Sequence, residues 1–216
     1  QLSLRRLRQM CIRDSSDREY ASLDPDVRLM LEVRDGSDKA FEQLMSRYQE
    51  RVMAVLYHLL GDRQVAEDLT QEAFLRVYRA RRGYVPRAKF TTWLYTIVNN
   101  LGFSALRRRA RGKEVALDPQ DSGAFTMRSK EHLFKATSGQ MPPRQIEKKE
   151  RAEIVRVALG QLTDQQCLAV LLSKFEGMSY IDIGEVMELS PEAIKSLLSR
   201  ARGKLREKLE PYMDLG

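Results

Sequence analysis

Apolar residues recur along most of this chain at intervals of three and four, the spacing that gathers them on one face of a helix. From Asp26 onward the first sustained pattern holds Phe41, Leu44, Met45, Tyr48, Val52, Val55, Leu56 and Leu59, and predicts a long amphipathic helix ending at Gly61. Asp62 then offers a side-chain oxygen to cap a second helix. Over "GDRQVAEDLTQEAFLRVYRA", residues 61–80, the inner stripe of that helix is Val65, Ala66, Leu69, Ala73, Val77 and Tyr78. Past Gly83 and Pro86 a third pattern begins at Thr92, with Trp93, Leu94, Ile97, Val98, Leu101 and Ala105 inward, and finishes in "RRRARGK", residues 107–113. Helices joined by short turns predict one compact all-helical domain over residues 26–110.

Residues 1–25, including "LRRLRQMCIRDSS", are basic without sustained periodicity and read as a mobile tail, in which "MCIRDS" joins poorly to the helical pattern after it. Residues 111–150 carry "DPQDSG" and "TSGQMPPRQ" and few apolar positions, the composition of a linker. Periodicity resumes near Glu153 and runs through a second helical block over residues 151–212. Alternating runs bounded by turn residues are absent from the sequence, so the fold class is all-α: two small helical domains and a flexible linker.

The second block contains a helix-turn-helix pattern. Ser179 can cap a short helix reaching Met187, with Ile183, Val186 and Met187 inside; "ELS" turns; and Ser190 caps a further helix with Pro191 as its first residue. Ile194, Leu197, Leu198, Ala201 and Leu205 form the inner face of that helix, and Lys195, Ser196, Ser199, Arg200 and Arg202 the outer. A basic, hydroxyl-rich helix after a tight turn has the form of a recognition helix in the DNA major groove, its first turns nearest the base edges. Arg206 and Lys208, further along, suit phosphate contacts.

Composition changes this picture in two ways. Lys and Arg number 37 against 30 Asp and Glu, a formal net charge of +7, which favours a polyanionic partner. Against that background Asp68, Gln71 and Glu72, at i, i+3 and i+4, form an acidic and amide patch on the outer face of the second helix. Such a patch is either plain hydrated surface or a contact for a basic protein partner. Cys11 and Cys167 lack CxxC spacing and a nearby histidine, which argues against a metal site or disulfide framework and leaves a reducing cytoplasm as the default expectation. Cys167 reads as a small buried hydrophobe. No P-loop, metal-ligand cluster or nucleophile with a partner base is present in the sequence, so no enzyme and no cofactor is expected. No apolar run approaches a membrane span.

Four stretches in order, "GDRQVAEDLTQEAFLRVYRA", "KFTTWLYTIVNN", "FEGMSYIDIGEVM" and "SPEAIKSLLSRARGKLRE", resemble an extracytoplasmic-function (group IV) sigma factor of bacterial RNA polymerase. The resemblance spans most of residues 26–210. It implies a sigma-2 domain over 26–110 and a sigma-4 domain over 151–212, with the linker replacing the middle domain of housekeeping sigma factors. It implies that Asp68, Gln71 and Glu72 meet the clamp helices of the polymerase's largest subunit. Tyr84, Lys89, Phe90, Tyr95, Thr96 and Asn100 match positions that hold the non-template strand of the minus 10 element, with Arg107 and Arg108 beyond them. Lys195, Ser196, Ser199 and Arg200 match the positions that read the minus 35 element. Core polymerase, promoter DNA and an anti-sigma factor are the implied partners, and stress-responsive transcription the implied setting.

Two departures accompany the resemblance. The loop "GYVPRAKF" differs from the small, acidic loop common in the family, and Cys167 stands where arginine is frequent. Trp93 reads as core, and Phe90 divides evenly between core and stacking platform. A polymerase-independent helix-turn-helix regulator and a helical adaptor are the alternatives: the first leaves the acidic patch unexplained, and the second requires that salt-dependent DNA binding be absent.

Overall fold

Most helices of the structure begin after a residue able to accept the unpaired amide hydrogens of a first turn. The computed structural model describes residues 22, 24–114 and 153–213, and among these every regular element is helical. The predicted tail over 1–25 and linker over 111–150 lie outside the described residues, except for 22, 24, 25 and 111–114. Helix α1 spans Pro25–Arg34, α2 Asp38–Leu60 and α3 Arg63–Ala80; a short 3-10 turn, Arg81–Gly83, leads on to α4, Phe90–Glu114. The second block holds α5 over 153–159, α6 Asp164–Lys174, α7 Tyr180–Met187 and α8 Pro191–Met213.

Several sequence expectations hold in detail. Gly61 closes α2 in the left-handed conformation at φ 69, and the Asp62 side chain accepts from the Val65 amide. Ser179 caps α7 with Asp182 completing a capping box, and the Ser190 hydroxyl accepts from the Ala193 amide. Other boundaries differ. A separate helix, α1, precedes the long one, capped by Asp24 with Pro25 in its first turn, and Gly36 at φ 104 breaks the chain before Ser37 caps α2. Helix α4 starts at Phe90 rather than Thr92, because the Phe90 ring is fully buried and its amide donates to Asp24 Oδ2 at 2.9 Å. It also continues past residue 110.

The N-terminal block packs α1, α3 and α4 around α2, which at about 35 Å is long enough to touch all three. Val27, Met30, Leu44, Leu56 and Leu94 are its most enclosed side chains. On α3 the stripe is shifted from expectation: Val65 is 37% exposed, while Thr70 and Phe74 join Ala66, Leu69, Ala73 and Val77 inside. In the C-terminal block Leu168, Leu171, Leu172, Ile183 and Ile194 fill the space between α6, α7 and α8. Cys167 is buried there, as expected. One apolar cluster runs through both blocks, because α6 packs on α2 and α7 packs on α4.

Candidate nucleic-acid and partner interfaces

Helix α3 turns Asp68 and Gln71 fully outward and leaves Glu72 half-buried. Gln64 Nε2 donates to Asp68 at 3.4 Å, and Arg76 Nε donates to Glu72 at 2.7 Å. The Arg76 hydrogen bond holds the Glu72 carboxyl below the usual carboxylate range. Pairs of this kind on an exposed helix are weak and exchange readily for a better partner. Beside the patch, α2 and α3 diverge into an open groove of about 630 Å³, with Phe41, Met45, Phe74, Leu75 and Tyr78 on its walls, Gln71 on one rim, and Asp38 and Glu42 on the other. Leu75 is 48% exposed, a large apolar side chain presented beside charge. The sequence stripe missed this groove, since Phe41 and Phe74 come together only through the crossing of α2 and α3.

The residues assigned to the minus 10 element divide in two. Phe90 is enclosed, with the Tyr48 ring 5.3 Å and the Trp93 ring 6.1 Å from it. Tyr95 is enclosed as well and lies against Glu176 of the second block, where burial first and the Glu176 charge second push its phenol far above the usual range. Tyr84 is buried with its ring 4.9 Å from Trp93. No base can stack on Phe90 or Tyr95 in this arrangement, because both lie on the face of α4 that meets other helices: Phe90, left open between core and stacking platform, falls on the core side, and the minus 10 expectation for Tyr95 gives way to a packing role. Trp93 moves the opposite way. It is half-buried, and lines a cleft of about 580 Å³ together with Tyr84, Arg87, Thr92 and Thr96. Arg87 was not singled out by sequence reasoning, although its place in the basic loop before α4 was a readable signal.

Lys89, Asn100, Arg107 and Arg108 are exposed. Lys89 Nζ donates to Asp182 Oδ2 of α7 at 2.9 Å, and Thr96 returns its hydroxyl to the Thr92 carbonyl at 2.8 Å. Arg107 donates to the Ser104 hydroxyl at 3.1 Å. Burial raises the Asp182 carboxyl, but hydrogen bonds from Lys89 and Ser179 outweigh it and hold the group below its usual range.

In the helix-turn-helix, Glu188 takes the left-handed conformation at φ 56 and lets α7 turn sharply into α8. A side chain at Gly184 would meet the Leu189 carbonyl oxygen at 2.6 Å, so only glycine permits this close approach. Ile194, Leu197, Leu198 and Ala201 are buried, leaving Lys195, Ser196, Ser199 and Arg200 together on the outer face of the first turns of α8. Arg202 bends back instead, donating to the Tyr180 hydroxyl at 3.2 Å and the Leu198 carbonyl at 3.3 Å. Among the described residues no group of three or more His, Cys, Asp and Glu could hold a metal ion.

A helix-turn-helix with a basic outer face on α8, joined to a second helical block that carries a cleft beside Trp93 and an acidic edge on α3, is the arrangement expected of a DNA-reading class of protein with a protein partner. Comparison with known proteins gives the particular family. The Sigma-70 region 2 profile matches residues 44–112, and the Sigma-70, region 4 profile matches residues 152–205. RNA polymerase sigma-H factor of Pseudomonas aeruginosa is 30% identical over 88% of this chain and 96% of its own length. RNA polymerase sigma factor CarQ of Myxococcus xanthus is 34% identical, over 83% and 95% respectively. The ECF RNA polymerase sigma-E factor of Haemophilus influenzae is 30% identical, over 87% and 97%. Solved structures share the fold: CnrH, in complex with the cytosolic domain of CnrY, superimposes with TM-score 0.62 at 22% identity over 87% of this chain and 99% of that one. The sigma factor RpoE from Bartonella quintana, in complex with the anti-sigma factor NepR, does so with TM-score 0.59 at 24% identity, over 80% and 98%. The chain belongs to the extracytoplasmic-function group of sigma-70 factors.

Proposed function

We propose that this chain brings core RNA polymerase to promoters by docking through the outer edge of α3 and reading DNA through α4 and α8. Its family makes it a transcription initiation factor rather than an enzyme. The observation that carries the docking is the union of Asp68, Gln71 and Glu72 with the apolar groove between α2 and α3. A partner helix laying its apolar edge in that groove, with basic residues against the rims, fits both features. DNA would be repelled by the same rims, which is the reason to assign them to protein.

Around the cleft beside Trp93, the residues Lys89, Arg87, Thr96 and Asn100 offer cations and hydrogen-bonding groups beside a ring face, the mixture needed to hold an unstacked base of the minus 10 element. Arg107 and Arg108 suit the adjoining phosphates. Lys195, Ser196, Ser199 and Arg200 read the minus 35 element, Lys195 or Arg200 reaching guanine O6 and N7. The promoter-melting unit is the block ending near residue 110, and the minus 35 unit is the block from 151 to 212. An anti-sigma factor that covers these surfaces is the further partner we propose, on the family resemblance. Among the described residues no helix is long and apolar enough to cross a membrane. We place the chain's action in the cytoplasm, where its polymerase works.

Run-off transcription by core polymerase, with the chain beside a triple variant Asp68→Ala, Gln71→Ala, Glu72→Ala, tests the reading. Promoter-dependent transcript from the original chain, falling roughly tenfold or more at limiting polymerase in a variant of unchanged helicity, is expected from loss of a complementary charged edge. No transcript from any template in a randomised promoter pool would sink it.

A further inference from the structure

Helix α1 grips the loop before α4 at both of the loop's ends. Residues 84–89 are irregular, running from the 3-10 turn to Phe90, and they carry Tyr84 and Arg87 to the cleft beside Trp93. At the end nearer α4, Asp24 serves two helices at once. Its Oδ1 accepts the Asp26 amide in the first turn of α1 at 2.9 Å, and its Oδ2 accepts the Phe90 amide, the first of α4, at 2.9 Å. At the other end Arg34, in the last turn of α1, donates from Nη1 to the Tyr84 carbonyl at 3.4 Å. Asp24 and Arg34 stand at opposite ends of α1, a rod of about 15 Å, so one rigid element holds both ends of the loop.

The rod is itself fixed in place. Val27, Met30 and Val33 are buried in the core, and Asp26 accepts from Arg47 and from the Tyr48 hydroxyl, both on α2. The Tyr48 ring in turn lies 5.3 Å from the Phe90 ring, so the first residue of α4 is held by its amide and its ring alike. Such order matters for a cleft that holds a base. Hydrogen bonds to base edges weaken steeply once their angle falls below about 120°. A loose loop must also be ordered as the base arrives, at a cost in conformational entropy, and a loop ordered beforehand avoids that cost.

Resting on the sigma-factor reading above, we propose that α1 is a splint for the base-holding cleft, with Asp24 and Arg34 as positioning residues for minus 10 recognition. Both act through the loop, which sets Tyr84 and Arg87 against Trp93. Aspartate suits position 24 because its two oxygens accept two amides, whereas asparagine has a single acceptor oxygen. In Asp24→Asn that oxygen stays with the Asp26 amide, two residues on, because the local bond closes the shorter loop. The Phe90 amide then loses its anchor while α1 keeps its cap.

Two readouts on the full chain test the splint. Trp93 is the single tryptophan, so its emission reports the cleft directly. Asp24→Asn, Asp24→Ala and Arg34→Ala should each shift that emission to the red and raise its quenching by acrylamide, at unchanged helicity. The second readout is run-off transcription by core polymerase from a template pool randomised at both promoter elements, with the transcribed templates sequenced. The variants should lose about tenfold of the base preference at a minus 10 position, the worth of one base–ring stack. Their minus 35 preference, and the polymerase concentration giving half-maximal transcript, should match the original chain. An unchanged minus 10 preference in Asp24→Asn, whatever its emission, makes Asp24 merely structural and overturns the proposal. So does a loss of preference with Trp93 emission unmoved, or a loss spread equally over both elements; the sigma-factor reading survives each of these. No transcript from the original chain on any template overturns that reading and the proposal with it.

Discussion

On the proposed function, single side chains would separate base reading from backbone contact. Lys195 and Arg200 stand on the first turns of α8, whereas Arg206 lies two turns beyond Ser199 and remains exposed. Lys195→Ala or Arg200→Ala should therefore cost about 1–3 kcal/mol of discrimination at one base pair. Arg206→Ala should weaken all duplexes alike and reduce the salt slope by about 1. Fluorescence anisotropy on a panel of minus 35 duplexes at several salt concentrations distinguishes the two patterns. Trp93 offers a similar test at the other interface. Loss of one base–ring stack is worth about 1–3 kcal/mol, so Trp93→Ala should weaken binding of a single-stranded minus 10 oligonucleotide by roughly tenfold or more while duplex binding through α8 persists. Trp93 was expected in the core, because helical spacing places it on the apolar stripe; the side of that stripe on which the end of α3, the loop before α4 and α7 leave a cleft was not visible from spacing.

At the scale of helices, local chemistry decided where most of them begin and end. Asp62, Ser179 and Ser190 were identifiable caps because a short side-chain oxygen preceding an apolar repeat has few other uses. Close approach between elements was much less legible. Gly184 and Gly102 are both buried helical glycines, but a methyl group at Gly184 would meet backbone oxygen at 2.6 Å, whereas at Gly102 it would meet the end of the Leu59 side chain at 2.8 Å. Backbone in a tight turn cannot yield, and a leucine methyl can. Gly184→Ala should destabilise the C-terminal block by about 1–3 kcal/mol, with thermal unfolding some degrees lower; Gly102→Ala should cost clearly less. Equal losses in the two variants would show that the turn between α7 and α8 is softer than its geometry implies.

Across the whole molecule, the junction of the two blocks carries a titratable group. The His58 ring stacks on Phe175 with centroids 6.4 Å apart, and among the described residues its Nδ1 has no hydrogen-bond partner. Burial first, and the Arg156 charge second, hold its pKa below the ordinary 6.5. Arg156 is bound to Glu153, and Glu50, Arg51 and Glu176 border the same side of the junction. When the chain unfolds, His58 regains its ordinary affinity for protons. Stability is therefore full above about pH 6.5 and declines as the pH falls below it, until the folded form itself protonates. Asp182, whose carboxyl is depressed, contributes stability above its ordinary 3.8 and loses it only at lower pH. Thermal unfolding should thus fall between pH 7.5 and 5.5, and His58→Gln should flatten that interval. A slope unaffected by the substitution would place the sensitive group elsewhere.

By itself the sequence determined the helical class, the two blocks, their caps, the acidic edge of α3 and the basic outer face of α8. Each follows from periodicity of three and four or from a residue's own hydrogen-bonding reach, and both are local properties of the chain. The tertiary structure decided the rest: that Phe90 and Tyr95 pack inside while Trp93 faces a cleft, that α2 and α3 part to leave an apolar groove beside Gln71, and that Asp182 answers Lys89. These depend on which helix faces cross and at what distance. Residues such as Lys89 and Asp182, more than ninety positions apart along the chain, carry no mark of their pairing in the sequence, because the contact exists only once α4 and α7 have packed.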